Sequence, residues 1–471
     1  MTSPRPAQPA GVRWLVAALL AAYFERIDRF RAERVPATGP VLLVANHPGS
    51  LTDAFVIGVA VGRPVHFVAS VRLFRAKWSA WLLSRCGVIP INRKQDDPAR
   101  MATVAQTFER CFETLEQQGA VCLFPEGVTY DDARLKEIKS GAARLSLELE
   151  RRHHGALGLA IVPVGLTYAA KERFRSRVLV HFGEPLVAAS FLRDDALDSR
   201  ARVRALTDAI EACLRALILD TPTLEHERIV ASVRRLYLER LRSANLIVTE
   251  PMPSEAETLV LTRAMATALS HFERTEPERV AAFVADLNRY ERWLQRLGLS
   301  DRALDAVTSP RRGRDRALPA LALVAGAPVA LFGWLHHLVP AWLVGWALER
   351  FTPIAYRKSQ TPLTVMVAGA IALALSYALY VSTAAWFGLG AGWAMTYAAA
   401  LPASGLSAHT YLRALRQAGG RLRTAGILLQ VPLARRTLIA SRRRLIETIE
   451  AFRADYARTL VPEIDSVLPA S

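Results

Sequence analysis

The chain has 471 residues, 51% hydrophobic and 22% charged, room for about two to four domains and too apolar for a disordered chain. Sixty Lys and Arg against 43 Asp and Glu leave a net charge of +17, which points to nucleic acid or an anionic membrane as partner. The four cysteines, Cys86, Cys111, Cys122 and Cys213, are too few for a disulfide scaffold and lack zinc-site spacing; they fit a reducing compartment.

Residues 1–35 open with a Pro-rich polar tail, followed by an apolar run from Trp14 to Phe24 that is too short to span a bilayer. Its basic continuation, Glu25 to Arg31, predicts an amphipathic helix lying in the membrane interface. Residues 36–220 alternate short β-rich runs with helical patterns. The expected strands are Val41–Ala45, Val65–Ala69, Val88–Ile91, Ala120–Phe124, Ala160–Thr167 and Val178–Phe182. Helical runs between them, such as Leu73–Cys86, Arg100–Gln118 and Leu135–Arg152, predict an α/β domain with a mostly parallel sheet flanked by helices. Chemistry is then expected at the strand ends.

Residues 221–310 show apolar positions at helical spacing and read as a helical region. His226-Glu227 lacks the second His of a zinc-protease motif, since position 230 is Val. Residues 311–412 hold the membrane segments. The stretch 317–348 is uncharged and broken by Pro319, Pro328 and Pro340; it is open between a span and a re-entrant segment and is read as re-entrant. The stretch 359–412 lacks Asp, Glu, Lys and Arg and is long enough for a hairpin of two spans turning at Gly388–Gly392. Residues 413–471 read as a basic cytoplasmic helix. From Arg350 to Ile446 there are twelve Lys or Arg and no Asp or Glu. Basic flanks beside uncharged spans favour an anionic phospholipid membrane over nucleic acid, and place both soluble parts on the cytoplasmic side of the inner membrane.

Four short blocks carry candidate chemistry. In the first, Asn46-His47-Pro48-Gly49-Ser50-Leu51-Thr52-Asp53 follows an apolar strand directly. A carboxylate on one nitrogen of His47 would fix its tautomer and leave the other to take a proton from a hydroxyl. Ser50 and Asp53 also fit a helix capping box, with His47 merely lining the turn. The remaining blocks are Gly87 to Arg93, with Arg93 at a strand exit; Phe124-Pro125-Glu126-Gly127; and Ile161 to Leu166, with Gly165 at a third exit. Gathered at one sheet edge, these groups would hold an anionic substrate with a reactive hydroxyl. A Gly-x-Ser-x-Gly elbow is missing, which argues against a Ser hydrolase.

In this order, the four blocks resemble those of the PlsC-like glycerophospholipid acyltransferase superfamily. That family separates its His and Asp by four residues, whereas five lie between His47 and Asp53 here. The longer spacing is similar to that of a subgroup, the fungal-type glycerol-3-phosphate/dihydroxyacetone-phosphate acyltransferases and their bacterial relatives. The blocks Arg63 to Ala69, Lys139-Ser140-Gly141-Ala142-Ala143-Arg144 and Phe174-Arg175-Ser176-Arg177 also resemble that subgroup.

The resemblance implies that His47 and Asp53 form the catalytic pair and that transfer proceeds without an acyl-enzyme. Arg93 would pair with the acceptor phosphate. Glu126 and Gly127 belong to the acceptor block, where Glu126 would bind hydroxyls or orient Arg93. Ser50, Lys139 and Arg144 are further substrate-binding candidates, the last two for phosphate, although both also read as solvated helix charges. It implies no metal and no cofactor; acyl-CoA or acyl carrier protein is the co-substrate, and glycerol 3-phosphate or dihydroxyacetone phosphate leads over lysophosphatidate as acceptor. The alternative from another class is a non-catalytic lipid-binding membrane protein. His153-His154 and His336-His337 read as loop and membrane-interface residues.

Overall fold

A computed structural model describes residues 9–92, 103–127, 134–193, 198–243, 251–308, 314–352 and 357–467. The chain divides into two units. The first comprises Met1–Asp220, Glu250–Leu259 and Val344–Ala370; the second comprises Thr221–Thr249, Val260–Leu343 and Ile371–Ser471.

The first unit is an α/β sheet flanked by helices. Its strands are β1 (Phe24–Phe30), β2 (Val41–Ala45), β3 (His66–Ser70), β4 (Ile89–Ile91), β5 (Ala120–Leu123), β6 (Ala160–Tyr168), β7 (Ser176–Phe182) and β8 (Leu186–Val187). Its order is β1-β7-β6-β2-β5-β3-β4, with β8 beside β6. β4, β3, β5, β2 and β6 run parallel, so their carboxyl ends share one edge, and α3 (Lys77–Arg85) lies between β3 and β4 in the chain. β7 and β8 run antiparallel to β6, which makes the sheet mixed but mostly parallel.

Six of these strands coincide with the expected apolar runs to within a residue or two. The reason is visible in central β2, where every residue of Val-Leu-Leu-Val-Ala is buried. Leu42 and Val44 face one core, shared with α4 (Thr103–Glu116), α5 (Gly141–Arg152) and α6 (Ser199–Leu217). Val41, Leu43 and Ala45 face another, shared with α1 (Ala10–Tyr23) and α2 (Leu51–Ala60). A strand covered on both faces reads as a continuous apolar run, and each Val or Leu so buried contributes about 1.5–3 kcal/mol.

The amino-terminal segment corrects its expected form. α1 is helical, but Phe24–Phe30 is a strand in parallel register with β7, not the second half of an interfacial helix. The pairing shifts register between Phe24 and Arg26. Buried Asp28 is met by Arg26 at 2.7 Å. Gly165 is also moved from its expected place. It lies inside β6, and a Cβ there would stand 2.6 Å from the Leu217 Cβ, so it lets α6 pack close to the sheet.

The second unit is helical. α7 (Leu224–Ser243), much of α8 (Ser254–Thr275), α9 (Pro277–Arg296), α10 (Asp301–Thr308) and α14 (Pro432–Val467) surround a core that includes Ile229, Leu287, Leu304 and Leu445. The apolar stretches form α11 (Arg314–Phe351), α12 (Arg357–Trp386) and α13 (Ala391–Gln430).

α11 is continuous through Pro319, Pro328 and Pro340. Among the described residues, two helices are long and apolar enough to cross a membrane, Ala322–Phe351 and Gln360–Trp386, and both are largely exposed. The pair therefore differs from the expected hairpin. α13 begins after a turn at Gly388, as its glycines suggest, but its Ala-, Gly- and Ser-rich first half is less apolar. Within the second unit, His336 and His337 of α11 each donate through Nδ1 to a carbonyl one turn back. Each accepts at Nε2 from a tyrosine, Tyr397 at 2.8 Å and Tyr377 at 2.6 Å.

Candidate active site at the carboxyl edge of the sheet

The site begins where β2 ends. Asn46 exchanges two hydrogen bonds with the backbone of Leu166 on neighbouring β6, at 3.1 and 2.7 Å, which fixes the strand exit. The chain then turns through Pro48 and Gly49 into α2. Gly49 is required by space, since a Cβ there would stand 2.5 Å from Asp53 Oδ1.

Asp53, in the first turn of α2, is fully buried. Its Oδ2 accepts from His47 Nδ1 at 3.0 Å and from the Gly49 amide at 2.7 Å. Its Oδ1 accepts from the Tyr168 hydroxyl at 2.6 Å. The capping-box alternative therefore does not form: Ser50 occupies the N-cap position but makes no side-chain cap bond. A carboxylate only accepts, so Nδ1 carries the proton in the neutral ring and the Nε2 lone pair remains. The imidazole stacks on Phe124 at 4.1 Å and keeps about a fifth of its side chain exposed, 19%.

Glu126 lies just beyond β5, on the same edge and only 2% exposed. Its Oε1 accepts from the His47 amide and its Oε2 from the Lys136 amide, both at 2.8 Å. The carboxylate thus clamps two loops; the sequence gives no sign of this, because both donors are backbone amides. Gly127 adopts φ +66°, a left-handed conformation suited to glycine. A Cβ there would stand 2.7 Å from Lys139 Nζ, so the exposed Lys139 ammonium lies over the Glu126–Gly127 turn. Ser50 is half-buried with φ +57°, and Arg144 is exposed on the first turn of α5. Arg93 lies outside the described residues; its neighbour Asn92 directly follows β4, whose carboxyl end is on this edge.

Two residues beyond the expected set complete the surroundings. Tyr168 ends β6 against Asp53, and Lys171 donates to the Pro48 carbonyl at 2.6 Å. Burial and the charge of Asp53 push the Tyr168 phenol well above its ordinary range. Conversely, the Phe174-Arg175-Ser176-Arg177 block serves the scaffold. Arg175 donates to the carbonyls of Ala21 and Phe24, and Arg177 pairs with Glu25 and Glu255. Arg63 likewise binds the carbonyls of Pro36, Gly39 and Gln118.

An imidazole held by a buried carboxylate at the carboxyl edge of a parallel sheet presents its second nitrogen where a substrate hydroxyl could give up a proton. Residues 26–167, which contain the whole arrangement but for Tyr168 and Lys171, match the acyltransferase family.

An uncharacterized acyltransferase of Schizosaccharomyces pombe is 22% identical over 63% of this chain and 55% of its own length. Glycerol-3-phosphate O-acyltransferase 1 of Saccharomyces cerevisiae is 28% identical over 42% of this chain and 25% of its own. The 1-acyl-sn-glycerol-3-phosphate acyltransferase of Bacillus subtilis is 26% identical over 40% of this chain and 86% of its own. The chain thus spans about half of the fission-yeast relative and a quarter of the budding-yeast one.

Proposed function

We propose that this chain is a membrane-bound O-acyltransferase of phospholipid biosynthesis. It transfers a fatty acyl group from acyl-CoA or acyl carrier protein to a hydroxyl of glycerol 3-phosphate or dihydroxyacetone phosphate. The observation that carries this reading is the 3.0 Å contact between His47 Nδ1 and buried Asp53, which leaves Nε2 as a base. His47 Nε2 takes the proton of the acceptor hydroxyl as its oxygen attacks the thioester carbonyl. The ester C–O bond forms, the C–S bond breaks, and the thiolate leaves with the proton from the imidazolium. The balance requires only the two substrates.

The acceptor phosphate is assigned to Arg93, with Lys139 over the Glu126–Gly127 turn and Arg144 as further cations. A guanidinium suits a phosphate because it forms two parallel hydrogen bonds. Glu126 acts by holding the His47 loop, and Ser50 lies at the start of α2 beside the pair. The glycerol-3-phosphate preference is supported by the His–Asp spacing and the similarity to the budding-yeast enzyme. A second acceptor, lysophosphatidate, is favoured by the Bacillus relative, most of whose length is matched. The apolar helices 322–351 and 360–386 would anchor the chain in the inner membrane, with the site on the cytoplasmic face.

Membranes containing the chain, given labelled palmitoyl-CoA with each acceptor in turn, test the reading by thin-layer chromatography. The expected result is labelled lysophosphatidate from glycerol 3-phosphate. Labelled phosphatidate from lysophosphatidate alone would select the second acceptor, and no transfer to any acceptor would sink the acyltransferase reading.

A further inference from the structure

We propose that Tyr168 is a positioning residue of the His47–Asp53 pair, holding the far oxygen of Asp53 and, through that carboxylate, setting the basicity of the His47 imidazole. The inference rests on the general-base reading above and adds a third side chain to it.

A fully buried carboxylate stays ionised only where donors replace its lost water. Asp53 has three. The His47 imidazole and the Gly49 amide meet Oδ2, and the Tyr168 hydroxyl meets Oδ1 at 2.6 Å. The phenol is enclosed, and its raised pKa keeps it an O–H donor throughout the range in which imidazole titrates. The space allows no slack: a Cβ on Gly49 would stand 2.5 Å from Asp53 Oδ1 and 3.1 Å from the Tyr168 oxygen.

The same stretch braces the other half of the pair. Three residues further on, Lys171 donates to the Pro48 carbonyl of the loop carrying His47, and the Tyr23 hydroxyl donates to the Lys171 carbonyl at 2.9 Å. The end of β6 therefore holds the carboxylate through Tyr168 and the imidazole loop through Lys171.

The electrostatic consequence has a definite sign. A donor on Oδ1 draws negative charge from the carboxylate, leaving less to stabilise an imidazolium on Oδ2. Tyr168 thus favours the neutral His47 that a base requires. Removing the hydroxyl raises the proton affinity of His47, and the acid limb of the pH–rate profile moves to higher pH. Glu126 faces His47 through its amide, Lys171 faces Pro48, and the Cys122 thiol and Tyr23 phenol lie near the buried pair. Burial pushes Cys122 and Tyr23 upward, away from the imidazole range. All four groups are common to wild type and variant, as is the phosphate of the acceptor.

The test is the kcat profile from pH 5 to 9 of the full chain in membranes, with palmitoyl-CoA and glycerol 3-phosphate, or lysophosphatidate if that is the acceptor used. Tyr168→Phe is expected to lower the plateau by about tenfold through looser alignment and to move the acid limb upward. The palmitoyl-CoA KM is expected to stay unchanged. 3-Fluorotyrosine at position 168, a stronger donor, is expected to move the limb downward. Tyr23→Phe, which removes a phenol bound to a carbonyl rather than to Asp53, leaves the limb in place.

An unmoved limb in folded Tyr168→Phe would overturn the assignment. If that variant fails to fold, an unmoved limb with fluorotyrosine does the same. The parent reading is tested separately by His47→Ala: full activity there removes the general base altogether, whereas an inactive His47→Ala with unmoved limbs removes only the role of Tyr168.

Discussion

Three histidines of the chain are held in two contrasting ways. At the sheet edge, His47 gives Nδ1 to a buried carboxylate and keeps its Nε2 lone pair. In the apolar helices, His336 and His337 donate through Nδ1 to backbone carbonyls of their own helix and accept at Nε2 from tyrosine hydroxyls. The first ring has a proton acceptor to offer a substrate; the other two have both nitrogens satisfied and tie helices together. Among these three rings the difference is the nitrogen left without a partner among the described residues.

The sharpest way to break this contrast is His47→Ala. Acyl transfer is expected to fall at least about a thousandfold, in line with the loss of a general base, while the protein stays folded and membrane-bound. Asp53→Asn removes orientation but not the base and is expected to cost less, on the order of a hundredfold. Turnover near normal in His47→Ala, measured across pH 5–9, would make the open Nε2 irrelevant.

Arg93→Ala is expected to come next. A charge-assisted hydrogen bond to phosphate is worth about 1.5–3 kcal/mol, so acceptor kcat/KM drops roughly 10- to 150-fold with the acyl-CoA KM little changed. Arg93→Lys restores only part, since an ammonium lacks the fork. Equal losses on both substrates would move Arg93 away from the phosphate.

Gly49→Ala probes the cramped space beside Asp53. Its methyl must displace the carboxylate or Tyr168, at a cost of about 1–3 kcal/mol in thermal or denaturant unfolding, and activity falls with it. Unchanged stability and rate would show that the loop has room to yield.

The smallest effect is expected from Tyr377→Phe, which frees Nε2 of His337 among the apolar helices. Interhelical hydrogen bonds in membranes average about 0.6 kcal/mol, so a small loss of thermal stability in detergent is expected, with acyl transfer intact. A large loss of transfer would mean that these histidines do more than join helices.

The pattern of what the sequence reveals follows from distance along the chain. His47 and Asp53 are six residues apart, on a strand exit and in the first turn of the next helix, so local pattern brings them together. Tyr168 and Lys171 reach the same loop from the end of β6, more than a hundred residues later, and look like ordinary strand-end residues. Glu126 is legible as a residue but not as a clamp, because its partners are amides. The buried strands stand out because both their faces are apolar. β1 does not: Phe24, Ile27 and Phe30 recur every three residues, a helical spacing, and the register shift after Phe24 breaks the alternation that would mark a strand.

That same edge strand orders events during synthesis. β1 is made early, yet its neighbour in the sheet among the described residues is β7, where Phe24 faces Ser176. At about 5–20 residues per second, its partner follows on the order of ten seconds or more later. Until then the amino-terminal strand has no edge to join, and Tyr23 and Arg175 cannot yet close the junction between them. Once β7 has emerged, the carboxylate cradle and the sheet can be completed while the apolar helices are still being translated. The nascent chain thus has a window in which its sheet can mature before its two long apolar helices have been made.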